Sequence, residues 1–478
     1  MVRGGYGISY QPPIASGFPG ASAGFNSSVP FGNRTLYPTA FGNSADPVLF
    51  WTTLNGAAIP SGYRVGVPPF TGTLPDTAPD SQNYNSVDYW SSSLAEPYVQ
   101  NWNFGLQYEL PGQILFEADY VGSKGTRLLA KDLGFHFNQA PVKFMGLAKY
   151  TSSDATDNSD IVDMVLSDAL GDSIAGPALA SFGITGPPYP SFPSDGTVGQ
   201  AIQRYPQFSG ITEQFPNYGS SIYHALQTTV RKWAGHGLNF IAAYTYSKTL
   251  GNTDGALYGY SGYYAPAQNY YNPGGERSIA SFDYTHFLKL TWIYEMPFGR
   301  GKKWLASSGK VDKLVGGWSI TANQQYRSGN PLQVIDTNFG GGIGNSSIRL
   351  DVVPGVPQTV PWKGMLDPDN GTPYLNPAAF ADPPLSESGA YATRPGTSPR
   401  FLSSTRGPGF QNEDFGILKD TRITERVMLK FRADFFNVLN RTGHGDPVTD
   451  LSDPGSFGRV FDVAHGPRGI MLSLRLDF

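Results

Sequence analysis

The residues that could do covalent chemistry are few, and their spacing is poor for it. Histidine, the side chain best suited to move protons near neutral pH, occurs as His136, His224, His236, His286, His444 and His465. None of them falls in an HExxH or HxxEH metal spacing. There is no Cys, which removes disulfide scaffolds, thiolate zinc sites and cysteine nucleophiles together. Gly20-Ala21-Ser22-Ala23-Gly24 has the form of a nucleophile elbow, but that device needs a strand before the serine and a helix after it. Here it follows Pro19 in a stretch rich in Pro and Gly. Gly340-Gly341-Gly342-Ile343-Gly344 imitates a phosphate-cradling loop without the Lys-Ser/Thr that completes one.

Binding chemistry has better candidates. Asp154, Asp157, Asp160, Asp163 and Asp168 could chelate calcium. Their order is not that of an EF-hand, and Ser159 to Leu170, with Ile161, Val162, Val165, Leu166 and Leu170, also reads as a short amphipathic helix with a solvated acidic face. Tyr258, Tyr260, Tyr263, Tyr264, Tyr270 and Tyr271 stand among Gly, Ser and Asn. Tyrosine offers a broad ring and a hydroxyl at low entropic cost, so such a loop could stack on sugars or other ligands. The same rings could instead pack on one another to order a long loop. The expectation is of no enzyme, cofactor or metal site. The one enzymatic arrangement left is a rim cluster of His136, His444 and Asp446.

Composition narrows the class of protein. The 478 residues are 14% aromatic and only 15% charged, against about 25% charged in ordinary soluble chains. A formal charge of −4 with scattered Lys and Arg gives no basic patch for nucleic acid. No run approaches the 18 apolar residues of a membrane helix. A membrane β-barrel would leave no such run, because its strands alternate apolar and polar over about ten residues. Met1-Val2-Arg3-Gly4-Gly5-Tyr6 lacks the regions of a signal peptide, so the expectation is either a cytosolic chain or one whose beginning is missing.

Period-two alternation recurs along the chain. At the C-terminus Ile470, Leu472, Leu474, Leu476 and Phe478 share one face, and Met471, Ser473, Arg475 and Asp477 the other. Leu429 to Phe436, Trp318 to Arg327, His286 to Met296, Leu238 to Ser247, Ile222 to Trp233, Asn101 to Leu110, Ile114 to Tyr120 and Val2 to Tyr10 repeat the pattern, and Phe410 to Thr421 does so more weakly. Many of the polar faces carry Arg, Lys, Glu, Asp, Asn and Gln in strand centres. A dry sandwich core could not accept them, and a water-filled lumen could. Tyr6, Tyr10, Trp102, Tyr108, Trp292, Tyr294, Trp318 and Tyr326 sit near strand ends, as interfacial girdles require. The links 11–98, 111–112, 123–221, 234–237, 249–282, 298–314, 328–409, 422–424 and 439–467 alternate long and short, which matches long outer loops and short periplasmic turns. The link 298–314, basic and somewhat long for a turn, is the exception.

Tyr98-Val99-Gln100-Asn101-Trp102-Asn103, Asp119-Tyr120-Val121-Gly122-Ser123-Lys124-Gly125, Tyr244-Thr245-Tyr246-Ser247-Lys248, Met296-Pro297-Phe298-Gly299-Arg300-Gly301, Gly316-Gly317-Trp318, Asn376-Pro377-Ala378-Ala379-Phe380, Arg406-Gly407-Pro408-Gly409-Phe410, Phe431-Arg432-Ala433-Asp434-Phe435-Phe436-Asn437-Val438-Leu439-Asn440 and Phe457-Gly458-Arg459 occur in that order. Together they resemble the C-terminal barrel portion of Oar-like TonB-dependent receptors of acidobacterial type. The resemblance implies an all-β transmembrane antiparallel barrel of 22 strands, of which about ten are present in residues 1–478. It also implies a signal peptide, a carboxypeptidase-regulatory-like domain, a TonB box and a plug, none of which is found here. The expected setting is the outer membrane of a Gram-negative bacterium. Its lipid, the barrel-assembly machinery acting on the C-terminal strand, TonB acting through the missing part, and an unknown scarce ligand are the expected partners. A self-contained ten-stranded barrel with an enzymatic or adhesive rim is the alternative.

Overall fold

The computed structural model describes residues 1–10, 53–54, 57–58, 85–89, 95–130, 137–154, 159–213, 216–235, 237–253, 267–305, 310–343, 348–362 and 366–478. Ten long strands dominate it: β1 (Val2–Tyr10), β2 (Tyr98–Leu110), β3 (Ile114–Leu128), β4 (Gly219–Gly235), β5 (Leu238–Gly251), β6 (His286–Glu295), β7 (Trp318–Arg327), β8 (Phe410–Arg422), β9 (Met428–Phe436) and β10 (Gly469–Asp477). They form one antiparallel sheet in which each strand pairs with its neighbours in chain order, and the two-residue strand Ser278–Ile279 pairs off β5. The path ends at β1 on one side and β10 on the other.

Register turns the period-two pattern into two faces, because residues opposite one another in paired strands point the same way. One row runs Phe240, Trp292, Ala322, Phe415, Phe435, Ile470 across six strands. The row beside it on the other face runs Ile241, Thr291, Asn323, Asp414. Glu109, Glu117, Asp119, Glu295, Asp414, Asp420, Asp434 and Asp477 all stand on the polar face. Among the ten strands Glu413 is the one acidic residue on the apolar face, and Arg441 Nε donates to it at 2.8 Å. The apolar face is bare: Leu472 is 67% exposed and Leu474 68%. So continuous an apolar surface requires a nonaqueous neighbour. The sheet is that of a transmembrane antiparallel barrel of ten or more strands.

All the long links leave from one end of the sheet. Links 11–97, 129–218, 252–285, 328–409 and 437–468 lie there, and 111–113, 236–237, 296–317 and 423–427 lie at the other. The expected alternation therefore holds, with link ends shifted because β2 to β5 run 13, 15, 17 and 14 residues. About 9–11 residues cross a bilayer, so these strands overshoot it and carry the long links on a raised rim. The basic link at the short end contains a helical turn, α4 (Lys310–Val315), numbered after three short helices in link 129–218: α1 (Leu166–Gly171), α2 (Ala175–Ser181) and α3 (Val198–Ala201).

Gly317 closes that link. Its φ is +73°, and a Cβ there would collide with the Asp420 carbonyl oxygen, the group next to the amide that donates to Gly317 O at 2.9 Å. Gly317→Ala is expected to lose about 2 kcal/mol from left-handed strain and collision combined. The check is the temperature at which the folded, heat-modifiable band on a gel converts to the unfolded one, which should fall in the variant.

Candidate functional site in the outer cap

Among the described residues the large apolar clusters lie outside the ten-stranded sheet, in the long links. One cluster joins Met145, Leu147, Ile161, Val162, Leu166, Leu179 and Val198 of link 129–218 to Phe339, Ile343, Ile348 and Ala392 of link 328–409. A second joins Leu332, Val334, Leu350, Leu375 and Phe380 of link 328–409 to Phe457 of link 437–468. Burial on this scale is what holds such loops in one arrangement. The links form a packed cap.

A buried polar hub stitches three of them together. Arg349 and Glu276 form an ion pair at 2.5 Å with side chains 4% and 1% exposed. The backbone amide of Gln268 donates to Glu276 Oε1 at 3.2 Å, and the Arg349 amide donates to Gln268 Oε1 at 3.3 Å. Arg349 Nε donates to the Ser398 carbonyl at 3.0 Å. Gln139 Nε2 donates to the Gln268 carbonyl at 3.3 Å, and Tyr270 N donates to Gln139 Oε1 at 2.8 Å. A second tie runs from Arg406 to the Asp283 carboxylate and, at 2.7 Å, to the Asp283 carbonyl. Charges this deeply buried are tolerated only when paired and hydrogen-bonded.

Next to the hub lies an aromatic box. The Arg204 guanidinium sits over Phe137, Tyr205 and Tyr270 at 4.8, 5.3 and 5.7 Å. The Tyr218 and Tyr270 hydroxyls are 3.3 Å apart, and their rings meet edge-on. Glu213, 2% exposed, closes the base. Burial pushes its carboxyl above the usual carboxylate range, and burial together with hydrogen bonds to Tyr270 and Glu213 pushes the Tyr218 hydroxyl far up. A box of rings and hydroxyls with one cation and one buried carboxyl suits stacking on a ligand more than proton transfer.

Of the six expected ligand tyrosines, Tyr258, Tyr260, Tyr263 and Tyr264 lie outside the described residues. Tyr270 and Tyr271 are in the box, where they order the loop: the Tyr271 hydroxyl donates to the Gln139 carbonyl at 2.8 Å. Tyr271 keeps 45% of its surface exposed. The expected helix 159–170 differs. Val165 is extended and bridges Thr197, so the stretch splits into a turn at Ile161–Asp163 and the helix α1. Its acidic face is not solvated throughout. Asp160 is buried against Ser386 and Ser388, and Asp163 accepts from the Tyr391 hydroxyl at 2.8 Å. Asp172, just ahead of α2, accepts from the Ile174 and Ala175 amides at 2.7 and 2.8 Å, and the Ser153 hydroxyl, first among its donors, holds its carboxyl well below the usual range. Among the described residues no His, Cys, Asp and Glu group is arranged to hold a metal ion.

The other flagged residues have structural partners. Ile343 of the glycine run is buried and its carbonyl accepts from the Ala140 amide at 2.8 Å. His444 packs edge-on against Trp362 at 4.8 Å, and Asp446 accepts from Asn330 at 2.7 Å. His136 and Ser22 lie outside the described residues. The C-terminal strand residues Ile470, Leu472, Leu474 and Leu476 all stand on the apolar face of β10, with Phe478 91% exposed beyond them.

On the polar face of the sheet Glu117 is flanked by Arg3 at 3.6 Å, Arg231 at 3.6 Å and Gln107 at 3.0 Å. Lower down is a concavity of about 610 Å³ whose lining includes Arg231, Asn239, Thr291, Asn323, Asp414 and Arg432. Sequence reasoning missed the hub, because Gln139, Gln268, Glu276 and Arg349 carry no local pattern.

Arg349→Met should leave Glu276 buried without its partner at a cost of about 3–5 kcal/mol, confined to the cap. Limited proteolysis is expected to cut links 252–285 and 328–409 much faster in the variant while the β circular dichroism of the sheet is unchanged.

Comparison with known proteins completes the picture. Residues 1–470 match the family described as outer membrane beta barrel domain. No curated protein matches the chain. Among solved structures, the outer membrane transporter YddB of Escherichia coli aligns at 10% identity and a TM-score of 0.36, over 83% of this chain and 34% of its own. The ferric-catecholate import receptor Fiu of E. coli K12 aligns at 9% identity and 0.32, over 81% and 28%. The ferripyoverdine receptor of Pseudomonas aeruginosa aligns at 11% identity and 0.32, over 80% and 28%. The chain thus spans about a third of the length of these proteins.

Proposed function

Since this chain belongs to the outer membrane β-barrel domain family and resides in the outer membrane of a Gram-negative bacterium, we propose that it is the C-terminal part of the barrel of an Oar-like TonB-dependent receptor, a transporter and not an enzyme. The observation that carries this reading is the pair of open edges. Among the described residues β1 pairs only with β2, and β10 only with β9. An unpaired strand edge at membrane depth leaves amides and carbonyls with neither water nor partner, each costing several kcal/mol. Further strands would satisfy both edges, and the motif order from Tyr98 to Arg459 supports a receptor as their source.

In this reading the packed cap gathers a scarce ligand at the outer mouth, with the box around Tyr270 and Tyr271 supplying rings for it to stack on; Tyr258, Tyr260, Tyr263 and Tyr264, earlier in the same link, belong to the proposal by sequence alone. The polar face around Glu117 and Asp414 lines a lumen that a plug would fill, and TonB would act on that plug using the inner-membrane proton gradient. The barrel-assembly machinery would take hold of β10 through Ile470, Leu472, Leu474, Leu476 and Phe478. One observation favours a second reading. β1 and β10 run in opposite directions, so pairing them would close a ten-stranded barrel of its own.

The experiment is to extract outer membranes from the source cells and size the product with an antibody raised against residues 366–409. A species at least about twice the 51.7 kDa of these residues is expected for a 22-stranded barrel with a plug. A heat-modifiable product of 51.7 kDa would instead establish the self-contained barrel.

A further inference from the structure

The link 296–317 is out of proportion to its task. Its companions at the same end, 111–113, 236–237 and 423–427, reverse the chain in a few residues, which is all a hairpin needs. This one carries Trp304, Leu305, Val311 and Leu314, exposed by 51, 59, 54 and 73%. Among these stand the exposed cations Arg300, Lys302, Lys303 and Lys313.

The position of the helical turn α4 is fixed by side chains of the lipid-facing side. Trp318 and Lys419 are opposite one another in register on the apolar face. Trp318 Nε1 donates to the Leu314 carbonyl at 3.1 Å, and Lys419 Nζ donates to the carbonyls of Leu314 at 2.8 Å and Gly316 at 2.9 Å. The C-terminal carbonyls of α4 are thereby held against the outside of the barrel wall. Lys313 Nζ donates to the Ile423 carbonyl at 3.1 Å and ties α4 to the next turn. Two of the acidic groups nearby are engaged: Glu295 pairs with Lys302 at 2.7 Å, and Asp312 accepts from the Arg300 amide at 2.6 Å. Lys303 lies over the Trp304 ring at 5.4 Å.

Short links of an outer-membrane barrel are periplasmic, so these apolar side chains emerge at the level where the inner leaflet meets the periplasm. Exposed Trp and Leu interleaved with Lys and Arg is the composition of an element lying in the interface. We infer that the described parts of this link, 296–305 and 310–317, form an interfacial anchor, with Trp304, Leu305, Val311 and Leu314 in the acyl boundary and Arg300 and Lys303 on the phosphates of anionic phospholipid in the inner leaflet. The inference rests on membership of the barrel family and is independent of the receptor reading.

The test exploits the absence of Cys. Leu314→Cys, labelled with an environment-sensitive fluorophore, is placed with the whole chain in vesicles of equal parts phosphatidylcholine and phosphatidylglycerol. Glu425→Cys, in the exposed turn 423–427, is the comparison. The label at 314 should be quenched by brominated lipid and shielded from aqueous iodide, and the label at 425 should show the reverse. Brominated phosphatidylglycerol should quench at 314 several times more strongly than brominated phosphatidylcholine, at about fivefold per favourable charge. R300Q/K303Q should bring that ratio close to one while the label at 314 stays shielded from iodide. Iodide access at 314 without quenching by lipid would overturn the anchor and leave a solvated turn or a protein-docking surface. Equal quenching by the two brominated lipids in the otherwise native chain would overturn the recognition of anionic headgroups.

Discussion

Hydrocarbon offers a peptide group no hydrogen bond, and the architecture of this chain answers that constraint. Every strand from β2 to β9 is paired on both sides, in registers that run without a break across eight or more residues in most pairs. Pairing of that kind forces side chains to alternate. The alternation then sorts the sequence: Phe, Leu, Trp and Tyr to one face, and carboxylates, amides and guanidinium groups to the other. Glu413 is the strand acid that breaks the rule, and it does so next to the outer rim, where Arg441 reaches it. The same constraint bears hardest on β1 and β10, which end the path of the sheet and each pair on one side among the described residues.

A barrel wall two faces thick has no interior of its own, so the chain builds its cores elsewhere. Link 129–218 alone supplies most of the first apolar cluster, and link 328–409 contributes to both. The buried pair of Arg349 and Glu276, around which Gln139 and Gln268 spend their amides, ties link 252–285 to links that the apolar clusters already hold together. Buried pairs are dear in desolvation. What this one provides is a single arrangement of three links, which a capped mouth needs more than it needs stability.

The strands were legible in the sequence because a membrane wall imposes one rule on every residue of a strand, and period two survives in each. The alternation of long and short links was legible for the same reason. Cap contacts are non-local: Gln139 meets Gln268 across 129 positions and Arg349 meets Glu276 across 73. No local spacing encodes such partners. The stretch 159–170 shows the limit of periodicity. Ile161, Val162 and Leu166 are buried as a helix would bury them, yet Val165 leaves the helix and bridges Thr197. The basic link 298–314 was visible as an oddity of length and charge, and its meaning needed Trp318 and Lys419 to show which side of the wall it lies on.

The central claim is that one face of this sheet meets lipid and the other meets water. β7 tests it directly, since it lies inside the sheet and its neighbours on both sides are defined. Single cysteines at Ile320, Thr321, Ala322 and Asn323, in a chain that otherwise has none, can be exposed in outer membranes to a charged, water-soluble maleimide. Reaction at 321 and 323 with protection at 320 and 322 is the predicted result. Uniform reactivity, or the opposite phase, would contradict it.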